Sequence, residues 1–191
     1  MRPEDSARKL SERLHRLARG WITLGALITF LLFSALVLPA QSRLADEQSG
    51  GAGSPDTSLL YRPADLYRMA EAYGEAGRES YIRARFTFDL VWPIVYGLFL
   101  ITSIGWLYGR TFPAGSSWRL VNLVPLAGMV FDYLENVSAA LVMARYPATT
   151  PVVDWLAPAF TPVKWLFVGG SFVLMVAGLL LQLRLPAKNS G

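Results

Sequence analysis

The sequence predicts an all-α fold, a four-transmembrane-helix bundle with an amphipathic N-terminal helix and a second amphipathic helix in its first loop. Hydrophobic residues fill 53% of the 191 positions and mean hydropathy is +0.34, high for a soluble domain of this length. The 14 acids and 18 bases crowd into terminal and loop segments, leaving four long apolar runs that exclude a disordered chain and most soluble folds. Cysteine is absent and the only histidine is His15, which excludes disulfides, thiolate chemistry and a Ser-His or His-ligated metal site.

Residues 1–20 read as a basic amphipathic cytoplasmic helix. Ala7, Leu10, Leu14, Leu17 and Ala18 share one face, with Arg8, Lys9, Arg13 and Arg16 around the rest. Its expected partner is the anionic lipid surface. A short basic stretch directly before a membrane span acts as a topology determinant, so no nucleic-acid partner is expected. Residues 21–185 form a single membrane domain. Its first span, 21–38, has about eighteen uncharged residues, enough to cross roughly 30 Å of hydrocarbon at about 1.5 Å per residue. A cleaved signal peptide would also explain the basic lead-in. The run exceeds the usual apolar region of such peptides, however, and Leu38-Pro39-Ala40 lacks a small residue at the first cleavage-site position.

The first loop falls into two parts. Gln48 to Ser58 has the composition of a flexible Gly/Ser linker. A helix over 63–77 follows: Pro63 suits a first turn, and Leu66, Met69, Ala70 and Tyr73 recur at i, i+3, i+4 and i+7. It is expected to rest on the outer surface or cap the bundle as a lid. Gly77 is expected to end or bend it, with Arg78 to Tyr108 continuing as one helix. The remaining spans are predicted at 86–108, 120–143 and 165–183, with a tail at 186–191. Trp21, Trp106, Tyr108, Trp118, Tyr146 and Trp165 stand near the span ends, where amphipathic rings favour the interface. Pro93 and Pro125 read as kinks, and Gly97, Gly105, Gly170 and Ala177 as close-packing positions.

Basic residues set the orientation. Arg2, Arg8, Lys9, Arg13, Arg16 and Arg19 precede the first span, Arg110 and Arg119 bracket the second loop, and Arg184 and Lys188 close the chain. Both termini are therefore expected in the cytoplasm, in a plasma or inner membrane, with Arg78, Arg83 and Arg85 as the contrary signal.

The informative residues are the polar ones inside the spans: Asp89, Tyr96, Asp132, Glu135 and Asn136, with Asn122 a milder case. An acid at mid-span costs about 2.5 to 3.5 kcal/mol, so Asp132 and Glu135 oppose insertion of the third span by up to about 5 to 7 kcal/mol. The eleven Leu, Val and Phe residues between Leu120 and Val142 return only about 3 to 7 kcal/mol on that scale. The third span needs partner helices, which places its acids toward the bundle interior. Asp132, Glu135 and Asn136 at i, i+3, i+4 form one stripe, and Asp89, Pro93 and Tyr96 form another. Counting residues inward puts Tyr96 level with Glu135 and Asn136 and leaves Asp89 higher, over an outward-facing pocket floored by Asp132. Arg83, Arg85, Arg145 and Lys164 are the available counter-charges. The plainer alternative is that the acids only fix helix register.

No P-loop, dinucleotide fingerprint, HExxH or G-x-S-x-G occurs, so no cofactor is expected. A Mg²⁺ or Ca²⁺ site built from Asp89, Asp132 and Glu135 would need a marked helix tilt, and no metal is expected either. Gly74-Glu-Ala-Gly77-Arg78-Glu-Ser-Tyr81, Asp89-Leu-Val-Trp-Pro93-Ile-Val-Tyr96 and Asp132-Tyr-Leu-Glu135-Asn136 together resemble a pattern of small bacterial four-span integral membrane proteins. The resemblance covers roughly residues 60–180. It implies a shared fold and pocket but no reaction. A looser likeness to sterol-isomerase-type membrane proteins transfers no residue. The expected function is binding, with conversion left open, of a lipid-soluble or amine-bearing small molecule. An assembly subunit, whose polar stripe meets a partner membrane protein, is the alternative, and ion or proton translocation ranks last.

Overall fold

The structure is a computed structural model that describes residues 3–55 and 58–184, residues 3 and 4 as backbone only. Arg2, Lys188 and the tail 186–191 lie outside the described residues, as does part of the predicted linker. Helix α1 (Pro3–Leu17) leads into α2 (Gly20–Leu32), a π-helical turn (Phe33–Val37) and α3 (Leu38–Gln48), which together run as one apolar rod. Helix α4 (Pro63–Arg85) crosses one end of the bundle; α5 (Phe88–Thr111), α6 (Val124–Arg145) and α7 (Val153–Arg184) traverse it, with a 3₁₀ turn (Ser117–Leu123) before α6. The described residues contain no strand, and four helical stretches are long and apolar enough to cross a membrane.

Burial follows the polarity a bilayer imposes. Exposed faces are apolar: Leu24, Ile28 and Leu31 on α2, Ile94 and Leu98 on α5, Val130, Leu134 and Val137 on α6, Leu166, Val173 and Val176 on α7. Charged and amide groups lie inside, with Glu135 and Asn122 fully buried. Helices α5, α6 and α7 form the core of the bundle, whereas no residue from Gly20 to Gln48 is buried. The first rod leans on α5 through Ala26, Leu27 and Phe30, which pack against Tyr96, Phe99 and Leu100.

The predicted loop-helix pattern has its expected face: Leu66, Met69, Ala70 and Tyr73 are buried against Ala139, Val142 and Met143 of α6 and Ala157 of α7. This part of α4 caps the bundle. Its bend differs from the expectation. The chain turns at Gly74, with φ +62°, and Arg78 reaches back across the bend to donate to the Ala70 carbonyl at 2.9 Å. Gly77 is helical and does other work, because a Cβ there would lie 2.6 Å from the Gln48 carbonyl oxygen. Nor does one helix run from Arg78 to Tyr108. It breaks at Phe86 and Thr87, where Thr87 leaves helical geometry (φ −125°, ψ −80°) and its hydroxyl caps the Arg83 carbonyl at 2.8 Å.

Other boundaries shift for local reasons. The first helix continues ten residues past Leu38 to Gln48, since the π turn Phe33–Val37 takes up the hydrogen-bonding mismatch ahead of Pro39. The described part of the Gly/Ser segment is packed rather than free: Pro55 is fully buried and Tyr73 donates to the Gly53 carbonyl at 2.6 Å. Pro125 stands in the first turn of α6, where a missing N–H costs nothing, so it is no kink. Helix α7 begins twelve residues before the predicted span and passes through Pro158 and Pro162. Gly97 faces Met129 as a packing position should, but Gly170 meets nothing, and Gly178 instead admits Tyr108.

Helix α1 docks on the bundle end with a polar face. Ser11 donates to the Asn122 side chain at 2.8 Å, and the Asn122 amide returns a bond to the Ser11 carbonyl at 3.1 Å. The two ring nitrogens of His15 lie 3.0 Å from the Gly105 and Arg119 carbonyls. Leu10 and Leu17, expected on the face turned to the lipid surface, are exposed and so available to it. Burial holds the His15 imidazole below its usual 6.5, with the Arg119 charge adding to the effect and the two carbonyls opposing it.

Gly77→Ala should lower stability by about 1 to 3 kcal/mol, the range for overpacking. Gly169→Ala, with nothing within 4 Å of its Cβ, should be neutral or stabilising. Thermal unfolding of both variants in detergent checks this. A folded imidazole value below the unfolded one means that α1 docking is at full strength above 6.5 and weakens as pH falls through the lower folded value. Amide protection over residues 5–17, measured as exchange relative to the unfolded-chain rate at each pH, should therefore fall on acidification, and His15→Asn should abolish that pH dependence.

Candidate functional site

Between the first rod, α4, α5 and α7 lies an open cavity of about 830 Å³. Its apolar side is aromatic: Phe30, Phe88, Trp92, Trp165 and Phe172 line it. Phe30 and Phe33 stack on Trp92 at centroid distances of 5.8 and 5.5 Å, and Phe30 on Phe99 at 4.7 Å, so these rings also hold the first rod to α5. The polar side carries Arg85, Asp89, Tyr96, Asp132 and Lys164.

The five predicted site residues fall into one connected cluster. The Tyr96 hydroxyl donates to Asp132 Oδ2 at 2.9 Å, and the Asn136 amide donates to Asp132 Oδ1 at 3.3 Å. Lys164 Nζ stands 3.7 Å from Asp132 Oδ1 and forms a direct ion pair with Glu135 Oε2. Thr161 donates to Glu135 Oε1 at 2.6 Å. At the other edge, Arg85 Nη1 donates to Asn136 Oδ1 at 3.2 Å and its Nε pairs with Asp89 Oδ2 at 3.0 Å. The Arg85 guanidinium lies 4.4 Å from the Tyr81 ring centroid, and Lys164 Nζ 5.3 Å from that of Trp165.

Each helix supplies its part through local sequence. On α6, the i, i+3, i+4 stripe directs Asp132, Glu135 and Asn136 toward α5 and α7, as its spacing predicts. On α7, Thr161 and Lys164 are one turn apart and meet the same carboxylate. Arg85 sits in the last turn of α4, four residues before Asp89, and the break at Thr87 lets that turn dip into the bundle until Arg85 is only 8% exposed. The dip shifts the expected levels. Tyr96 meets Asp132, and the neighbour of Asn136 is Arg85. Of the other proposed counter-charges, Arg83 is exposed at the cavity and Arg145 is exposed at the end of α6.

Thr161, Trp92 and Trp165 belong to the site and were not singled out for it. Thr161 was obscured by Pro158 and Pro162, which make its surroundings read as loop; its i+3 spacing to Lys164 was the available signal. The half of α4 that borders the cavity is Tyr73 to Arg85 rather than the earlier turns, which are taken up by the cap. Asn122 lies at the opposite end, bonded to Ser11. Among the described residues no group of three acids or histidines converges on a metal-sized point, and Lys164 and Arg85 occupy the space between the carboxylates. Comparison with known proteins returns nothing: no family model, curated protein or solved structure matches this chain.

A cluster of this kind couples three helices to the helix that caps them. Lys164→Met should cost about 3 to 5 kcal/mol, because it leaves Glu135 buried without its cation. Adding Glu135→Gln should recover most of the loss. Denaturant unfolding in mixed micelles checks the pair. A single variant as stable as wild type would show that the ion pair contributes little.

Proposed function

We propose that this chain is a multi-pass protein of the plasma or inner membrane, both termini cytoplasmic, whose outward-facing pocket binds a lipid-soluble, amine-bearing small molecule. The observation that carries the reading is the two-sided cavity of about 830 Å³. One wall is aromatic and suits a hydrocarbon chain. The other presents Asp89 and Asp132, which suit a cationic head. If all its groups are ionised, the cluster holds three carboxylates, Asp89, Asp132 and Glu135, against two cations, Arg85 and Lys164, a surplus of one negative charge.

The orientation rests on the basic residues at the α1 end, from Arg8 to Arg19 with Arg110 and Arg119. The contrary signal weakens at Arg85, whose charge is paired with Asp89, while Arg78 and Arg83 keep theirs and are outnumbered by the α1 end. Burial of the Asp132, Glu135, Asn136 stripe favours a pocket over an assembly surface, where that stripe would face lipid. A transport path is disfavoured by the layer of Phe99, Leu100 and Ile104 beneath Tyr96, where the buried hydroxyls of Thr102 and Ser171 donate back to their own helices, to the Leu98 and Phe167 carbonyls.

Thermal unfolding of the purified protein against long-chain amines and neutral lipids of equal chain length tests the reading. An amine at a hundred times its Kd should add about 2.7 kcal/mol of stability, with neutral lipids adding less. Asp132→Asn and Glu135→Gln should reduce that shift. The pocket reading fails if no amine stabilises wild type and both variants match wild-type stability.

A further inference from the structure

Helix α1 builds a second polar site at the opposite end of the bundle. Arg8, Ser11, Glu12 and His15 recur at i, i+3, i+4 and i+7, so the four share one face. That face meets the 3₁₀ turn carrying Arg119 and leaves a cleft of about 110 Å³ against it, room for one small group rather than a whole lipid. Ser11 and His15 are spent on docking, through Asn122 and the Gly105 and Arg119 carbonyls. Arg8 spends one N–H on the Gly115 carbonyl at 3.0 Å, which holds its guanidinium at the cleft. Arg119 is held without being paired. A Cβ added at Gly109 would lie 3.4 Å from Arg119 Nη2 and 3.3 Å from His15 Nδ1, so guanidinium and imidazole sit together over that glycine. The Arg119 Nε is buried without a hydrogen-bond acceptor, and among the described residues no carboxylate pairs with this side chain. A cationic N–H kept in that state is costly, and an anion in the cleft offsets the cost.

We propose that this cleft is a discrete site for the phosphodiester of an anionic lipid, with Arg119 and Arg8 donating to its free oxygens. Two observations choose the ligand. With the imidazole neutral, two guanidiniums against the Glu12 carboxylate leave the cleft a single positive charge. A phosphodiester, singly charged, matches that better than a terminal phosphate, which carries about 1.5 to 2 negative charges at neutral pH. The cleft also lies at headgroup depth, since Trp118 beside Arg119 and Trp21 just beyond α1 are exposed, as are Leu10 and Leu17 on α1 itself. Arg13 and Arg16, exposed on α1 outside the cleft, attract a negative surface without shaping a site. A bound headgroup joins α1, through Arg8, to the turn before α6, through Arg119, and so fastens the N-terminal helix to the bundle.

His15 is the only histidine in the chain, so its ¹³C-labelled imidazole reports on this cleft alone. The full-length protein in dodecyl maltoside is titrated with dihexanoyl phosphatidylglycerol, dihexanoyl phosphatidylcholine or inorganic phosphate, at fixed pH and ionic strength. Phosphatidylglycerol should move the His15 resonance to saturation, and the other two should need concentrations at least about tenfold higher. Arg119→Gln should weaken phosphatidylglycerol binding about tenfold or more, as loss of a charge-assisted hydrogen bond does. Arg8→Gln, a change at an exposed side chain that leaves the fold intact, should do the same, and Arg13→Gln should not. Equal weakening by Arg8→Gln and Arg13→Gln overturns the discrete site in favour of diffuse attraction to a negative surface. Phosphatidylcholine or inorganic phosphate binding as tightly as phosphatidylglycerol overturns the assignment to an anionic lipid. No saturable shift with any of the three overturns the proposal altogether.

Discussion

The polar cluster beneath α4 is arranged around a lysine. Lys164 enters α7 among apolar residues and prolines, and a bare ammonium there would be expensive. Its direct pairing with Glu135 and its approach to Asp132 join α7 to α6 at one height. Tyr96 then brings α5 to that height, and Arg85 brings the last turn of α4 by way of Asn136. Polar groups in a membrane interior have few alternative partners, so these contacts fix the relative depth of the helices. Leu-on-Leu contacts would tolerate sliding by a turn. The break at Phe86 and Thr87 follows from the same constraint. A single straight helix from α4 into α5 would set Arg85 above the bundle, away from Asn136.

The first rod is held differently. From Gly20 to Gln48 it has no buried residue, and its grip on the bundle is the ring stack of Phe30 and Phe33 with Trp92, Phe99 and Phe172. At its far end it crosses α4 where Gly77 allows Gln48 to approach. The rod is therefore pinned by rings at its middle and by a backbone crossing at its tip, with the cavity between. Few buried contacts mark a region of low local stability, so this is the wall best suited to yield to a ligand arriving from the side. The polar wall, tied by ion pairs, is the rigid one. A pocket with one rigid charged wall and one compliant aromatic wall suits an amphiphile whose head must be placed and whose tail need only be covered.

Much of this was legible in the sequence, for a definite physical reason. The i, i+3, i+4 stripe on α6 and the i, i+3, i+4, i+7 face of α4 are periodic patterns, and periodicity survives any detail of packing. The insertion imbalance of the third span likewise needed only residue counts. What the sequence did not disclose depends on where two distant segments touch. Gly74 and Gly77 are equally able to bend a helix, and the choice falls on Gly74 because the Gln48 carbonyl already occupies the space beside Gly77. The Gly/Ser segment has a linker's composition, yet Tyr73 and its neighbours give it a surface to pack on. The fourth span was placed at 165–183, but the helix begins at Val153, persists through Pro158 and Pro162, and carries Thr161 to Glu135. The polar seam of α1 was missed because Ser11 and His15 interrupt an apolar face, and only their partners on the bundle explain why they belong there.

The two polar ends of the molecule are separated by a layer of buried rings and aliphatic side chains. Below Tyr96 the interior passes through Phe99, Leu100 and Ile104, all buried, before reaching Asn122 and the seam with α1. A hydrated path would have to open that layer, and no carboxylate, amide or lysine lines it to hold water in place. On the proposed reading this geometry favours a binding pocket over a conduit, because the polar cluster opens to the cavity on one side and meets buried rings and aliphatic side chains on the other.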